Sequence, residues 1–253
     1  DTMLLATVVS NIEVKDGVDF MPLTVDYREK FASTGKFPGG FLKREARPSD
    51  EEILTMRLVD RALRPLFPSD YHADTQVMIQ LMSSDKENMP DALACLAASA
   101  CLAVSDIPFN GPVSEVRIAR IDGEYIVNPT FKELKNSDID MMIAATMDSI
   151  VMVEGEMNEV SEKEMLEAIK LAHGFIKEQC QLQIDIASEV SKASPKRTYS
   201  HETHNEELRK KIYDFSYQRY YDVAKKGIAD KSKRSDLFGA IKEEFKANMS
   251  DED

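Results

Sequence analysis

The chain has 253 residues, 43% of them hydrophobic, which supports one large core with room for a small second domain. Lys and Arg total 32 against 45 Asp and Glu, a formal net charge of −13. That balance excludes attraction to nucleic acid over the whole surface, so any polyanion must meet a local basic patch.

The first residues already lie in an apolar run, Thr2 to Val9, read as a strand over 3–9 with no turn or cap before it. The expectation is that the natural protein begins earlier, and that it continues beyond the acidic end 249–253. Further strands are predicted over 20–26 and 75–83, with a basic loop and a helix between them. Asn88-Met-Pro-Asp91 opens an Ala-rich helix to about Ser105, with Pro90 and Asp91 suited to a first turn and almost no polar face, hence buried. Strands over 113–121 and 124–128 follow, joined by the hairpin signal Asp122-Gly123. Strands over 139–146 and 150–156 come next. Ser161 and Glu164 form a capping-box pattern that starts a long amphipathic helix to about Glu189.

The first domain is placed at 1–187. Residues 188–203, rich in Ser, Lys, Pro and His, read as a linker. Residues 204–253 form a helical domain with helices over 206–226 and 235–248. Cys95, Cys101 and Cys180 lie in apolar helical patterns without CxxC spacing and are expected as reduced core residues. The methionines 141, 142, 147 and 152 read as core packing. No run reaches the ~20 apolar residues of a bilayer span and no signal peptide is visible, so no membrane partner and a cytoplasmic location are expected.

The most unusual stretch is Lys36-Phe-Pro-Gly-Gly-Phe-Leu-Lys-Arg-Glu-Ala-Arg-Pro48. Gly39 and Gly40 open backbone angles that let Phe41 and Leu42 reach a loop tip beside Lys43, Arg44 and Arg47. A ring beside cations suits single-stranded RNA, whose bases stack while phosphates meet the charges. Ser49 then caps a helix with Asp50, Glu51 and Glu52 in its first turn. On it Arg57, Arg61 and Arg64 share one face, with Ile53, Leu58, Ala62 and Leu63 as the apolar residues. Between Lys36 and Phe67 there are seven basic residues and five acidic ones, a reversal of the overall balance. The pattern alone leaves open whether these arginines serve RNA or pair with Asp60, the helix's own glutamates or another subunit.

These residues carry a family resemblance. Lys36 to Ser49, then Arg57-Leu-Val-Asp-Arg-Ala-Leu-Arg-Pro-Leu-Phe67, with Phe109-Asn-Gly-Pro112, Asp122-Gly-Glu-Tyr125 and Asn128-Pro-Thr130, resemble the first core domain of the polynucleotide phosphorylase family. The resemblance implies an α+β, RNase PH-like fold (ribosomal protein S5 domain 2-like) followed by a small all-α domain. It implies a homotrimeric ring that degrades single-stranded RNA from the 3′ end by phosphorolysis, in mRNA degradation, with other RNA-degradation components as further partners. Inorganic phosphate would be the co-substrate, with magnesium held by a second core that lies outside this chain. In that family a Phe-Phe-Arg-Arg type loop grips RNA in the central channel. Carried over, the RNA-binding residues are Phe41, Leu42, Lys43, Arg44 and Arg47, with Arg57, Arg61 and Arg64 as the neighbouring basic face. Leu42 and Lys43 depart from the motif, removing one stacking ring and exchanging a planar fork for a point charge.

The resemblance also implies that this part of the enzyme is not catalytic. The family's active core presents serines at a helix start, where this chain has Asn88-Met-Pro-Asp91: Pro90 lacks an amide donor and Asp91 would repel phosphate. Its Asp-x-Asp-Phe-Lys type run compares with Asp138-Ile-Asp-Met-Met142, in which Met142 replaces the lysine. No catalytic or metal-binding residue is therefore assigned. Asp85, Glu87 and Asp91 read as a solvated loop and helix start, and His201 and His204 as surface residues of the linker. The alternative is a catalytically silent ring subunit of an exosome-like RNA-processing assembly, whose arginines mostly join subunits.

Overall fold

The computed structural model describes residues 2–15, 17–39, 41, 45, 47–199 and 205–249. The chain divides into two compact units, Asp1–His201 and Glu202–Asp253.

The first unit contains two sheets. In the smaller, β1 (Met3–Ser10) runs antiparallel to β3 (Thr75–Ser83), and β2 (Leu23–Glu29) runs parallel to β3 on its other side. The larger is antiparallel throughout, in the order β5 (Glu124–Val127), β4 (Ser114–Ile121), β6 (Ile139–Ala145), β7 (Ile150–Met157). Strand β2 lies three residues later than the sequence predicts. Pro22 cannot donate to a ladder, so pairing begins after it, and Phe20 is left exposed while Tyr27 is fully buried.

Helix α2 (Asp91–Ala103) packs on β1 and β3 of one sheet and on β4 of the other. Its small residues Ala92, Ala94, Cys95, Ala98 and Ser99 are all buried, which allows that close double contact. The opposite face of the larger sheet is covered by α4 (Glu162–Glu189) through Ala168, Ala172, Ile176 and Cys180. Being covered on both faces, β6 is buried almost throughout, and Met141, Met142 and Met152 are core residues. Cys95, Cys101 and Cys180 are free thiols, two of them buried.

Local signals account for the boundaries. Asp122 and Gly123 both have positive φ, 51° and 85°, as the tightest hairpin turn requires. Capping boxes start α1 (Asp50–Leu63) at Ser49, α4 at Ser161, and the short α3 (Phe131–Leu134) at Thr130. Helix α3 had no predicted counterpart, because four residues are too few to show a period.

The segment read as a linker, 188–203, is in good part a strap on the first unit. Helix α4 runs on to Glu189, and beyond it Lys196 Nζ donates to the carbonyls of Leu102, Ala103 and Ser105 at the end of α2. Arg197 pairs with Asp106 at 2.7 Å, and the Tyr199 hydroxyl donates to Asp70 at 2.9 Å. A polar composition looked solvated, yet its cationic heads answer carbonyls that a helix end leaves without partners. His201 and His204 lie outside the described residues.

The second unit is a pair of helices, α5 (Glu206–Lys225) and α6 (Lys231–Ala247). Ring contacts Phe215–Phe245 and Tyr220–Phe238 hold them together, and Arg219 lies over Phe215 while pairing with Glu244. Helix α6 starts four residues earlier than its apolar period suggests, because Asp230 caps the amides of Ser232 and Lys233.

Candidate nucleic-acid interface

Two acids, one within the basic stretch and one just after it, tie it to the strand and turn before it. Glu45 accepts a hydrogen bond from the Phe31 amide at 2.6 Å. Glu52, almost fully buried, accepts from the amides of Ser49 and Glu29, so one carboxylate both closes the capping box and ties α1 to the end of β2. Helix α1 buries Thr55, Val59, Ala62 and Leu63. Ile53, read as part of its apolar face, is 40% exposed, and Leu54 beside it is more so.

Among the expected RNA-contacting residues, Phe41 and Arg47 are described and both are exposed, the Phe41 ring completely. Leu42, Lys43 and Arg44 lie outside the described residues. Arg57 and Arg61 on α1 and Arg64 just after it are all exposed, but their surroundings differ. Arg64 is engaged by both oxygens of Asp60 and by the carbonyls of Met21 and Leu23. Arg61 pairs with Glu154 of β7. Arg57 has no ion pair among the described residues. It borders a shallow groove of about 470 Å³, floored by Leu23, Val25, Ile53 and Met56 and closed by Asp60 and Arg61.

A second arginine site was not singled out in the sequence. Arg117 of β4 donates to Asp91 at 2.7 Å and, through two nitrogens, to Asp140 at 2.7 and 2.8 Å. All three side chains are 20% exposed or less. Burial opposes the guanidinium charge, but the bonds to Asp140 and the charge of Asp91 outweigh it and raise the Arg117 pKa. Burial lifts the Asp91 carboxyl above its usual range, against the pull of Arg117. Asp138 is held in turn by Arg120, which also pairs with Glu164. The available signal was the strand Ser114-Glu-Val-Arg117, whose charged residues at alternate positions share one face.

Thus the helix-start aspartate and both acids of the Asp138-Ile-Asp140 run are occupied by guanidinium groups. This donor set does not suit a divalent cation, since each carboxylate would have to give up an arginine first. Asp85, another of the acids near that helix start, accepts from the amides of Glu87 and Asn88. A cavity of about 310 Å³ adjoins the cluster, lined by Asp91, Arg117, Glu29, Glu51 and apolar side chains that include Leu58 and Met142.

Comparison with known proteins fits this frame. The profile of the 3′ exoribonuclease family, domain 1, matches residues 1–108, which end beyond α2. That of the same family's domain 2 matches residues 111–174, the larger sheet and half of α4. The polyribonucleotide nucleotidyltransferase of Bacteroides fragilis is 58% identical over all 253 residues, which cover 36% of that protein. The chain belongs to the 3′ exoribonuclease family. The corresponding protein of Porphyromonas gingivalis is also 58% identical over the whole chain, with 34% of its own length covered. This 3′ exoribonuclease family member therefore spans about a third of the length of its curated relatives. A solved structure of the Archaeoglobus fulgidus exosome, with RNA bound to its active site, superposes with a TM-score of 0.59 over 72% of this chain and 79% of that one. At 17% identity that likeness concerns the fold alone, which is the RNase PH-like fold expected from the sequence. Among the described residues no helix is long and apolar enough to cross a membrane.

Proposed function

We propose that this chain is the RNA-holding, non-catalytic portion of a phosphorolytic 3′ exoribonuclease of the polyribonucleotide nucleotidyltransferase type. It would act in a homotrimer in the cytoplasm, in mRNA degradation, with inorganic phosphate as co-substrate and magnesium bound outside this chain. The domains are read as 1–187 and 204–253, with the strap between them. The observation that carries the reading is the contrast between two arginine sites. In the loop and on helix α1, Arg47 and Arg57 are exposed, and so is the whole ring of Phe41; exposed cations and a bare ring are the groups that single-stranded RNA uses. At the helix start that would have to receive phosphate, Arg117 is clamped by two aspartates and a carboxylate faces the incoming anion.

The test is charge reversal of Lys43, Arg44 and Arg47 in the intact enzyme. Degradation of long RNA should slow more than degradation of short oligomers, because only a long strand spans loop and active centre together. Equal slowing of both would end the channel reading. Phosphate-dependent release of nucleoside diphosphates by this chain alone is expected to be nil, and clear turnover would refute the non-catalytic assignment.

The pairs Arg61–Glu154 and Arg64–Asp60 favour a second reading, in which this arginine face is structural and the protein is a silent ring subunit of an exosome-like assembly. Its signature would be ring assembly lost on changing Arg57 or Arg61 while RNA affinity stays unchanged.

A further inference from the structure

Glu115 violates the pattern of its strand. It lies in β4 opposite Ala144 of β6, is 1% exposed, and neither carboxyl oxygen is met by an amide, hydroxyl or cation among the described residues; the one donor turned to it is the weak Cys95 thiol of α2. It shares a strand face with Arg117, two residues on, and that face packs on α2. Three groups act on it: Asp91 and Cys95 from α2, and Arg117 from its own strand. Opposite it β6 sets an alanine, and Asp140 of β6 is committed to Arg117. The Cys180 thiol of α4 acts only on Cys95. A bare carboxylate without partners in such a place is far costlier than a neutral acid.

We propose that Glu115 is a proton-controlled switch on the Asp91–Arg117–Asp140 cluster. Protonated, it leaves the guanidinium to the two aspartates. Deprotonated, it competes for that guanidinium, which loosens the start of α2 from β4 and changes the charge of the adjoining cavity. Arg117 lies two residues along the same face of β4, and its guanidinium is the one for which Glu115 competes. Burial, reinforced by the negative charge of Asp91, pushes the Glu115 carboxyl up to about 8, against weaker opposition from Cys95 and Arg117. The switch therefore operates on the alkaline side of neutrality. Since the folded value lies above the unfolded one, folding takes up about one proton at neutral pH. The associated stability is complete below the ordinary carboxyl range and is lost as pH rises through about 8.

The test is a carboxyl-carbon NMR titration of Glu115 in the full chain, read together with the Arg117 Nε–H resonance, from about pH 6 to about pH 10. Both should move with one midpoint on the alkaline side of 7. Thermal unfolding of Glu115→Gln should lose the decline in stability that the wild type shows between the ordinary carboxyl range and about pH 8. A Glu115 resonance that titrates in the ordinary acidic range, or an Arg117 resonance that stays still while Glu115 titrates, would overturn the proposal. The titration of the unaltered chain decides the matter even where the glutamine variant does not fold.

Discussion

Helix α1 and strand β4 both carry arginines within an acidic molecule, and the two sites differ in how far their charges are already answered. On α1 the carboxylates sit one turn away or across a strand, so Arg64 and Arg61 are each paired at the surface while Arg57 stays open. At β4 two aspartates converge from α2 and β6 on Arg117, which is largely withdrawn from water. The difference teaches that what an arginine can bind is set by which acids the fold brings within reach. A solvated pair contributes little and opens readily to a phosphate, whereas a half-buried bidentate clamp does not.

The comparison breaks most visibly if Arg117 is removed. Arg117→Ala leaves Asp91 and Asp140 without their cation and should cost about 3 kcal/mol, the low end for a buried pair because the site keeps some contact with water. Urea denaturation measures it. A loss no larger than that of a surface substitution would mean the clamp is not structural. A smaller effect separates the α1 arginines from one another. Arg57→Ala should lower the slope of log affinity for single-stranded RNA against log salt by about 0.7, the value for one phosphate contact. Glu154→Ala, which frees Arg61, should raise that slope by a similar amount. Unchanged slopes in both variants would favour the structural reading of this face. Ser49→Ala opens the capping box that orients α1 and should cost about 1 kcal/mol in thermal unfolding. The smallest effect lies in acid. Hydrogen bonds from Ser161 and Arg120 hold the Glu164 carboxyl down to about 2. Its contribution is present above the ordinary carboxylate range and is lost as pH falls toward about 2, opposite in direction to the loss at Glu115. A Glu164→Gln chain with an unchanged acid limb would remove that assignment.

Much of the fold was legible because the relevant physics is local. The strand at Thr75–Ser83 alternates buried and exposed residues with period two, and Asp122-Gly123 admits the positive φ of a tight turn. Ser49 with Glu52, and Ser161 with Glu164, satisfy amides three residues away. Where prediction slipped, a non-local partner decided. The lysine and arginine of the supposed linker found carbonyls and a carboxylate about 91 positions earlier in the chain. For the candidate site, the exposed ring and the basic face could be read directly, but which arginines remain open could not. Arg61 meets an acid 93 residues away.

By itself the sequence determined the order of the strands and of the helices other than the short α3, the capped starts of α1 and α4, the Ala-rich central helix, and the concentration of positive charge between Lys36 and Phe67 in an acidic chain. These follow from side-chain periodicity and short-range hydrogen bonding. Only the tertiary structure decided that Arg117 joins Asp91 and Asp140, that Arg57 stands open, and that Glu115 is buried with no cation paired to it. Charges separated by tens of residues interact through the distance that folding gives them, and local pattern carries no record of that distance.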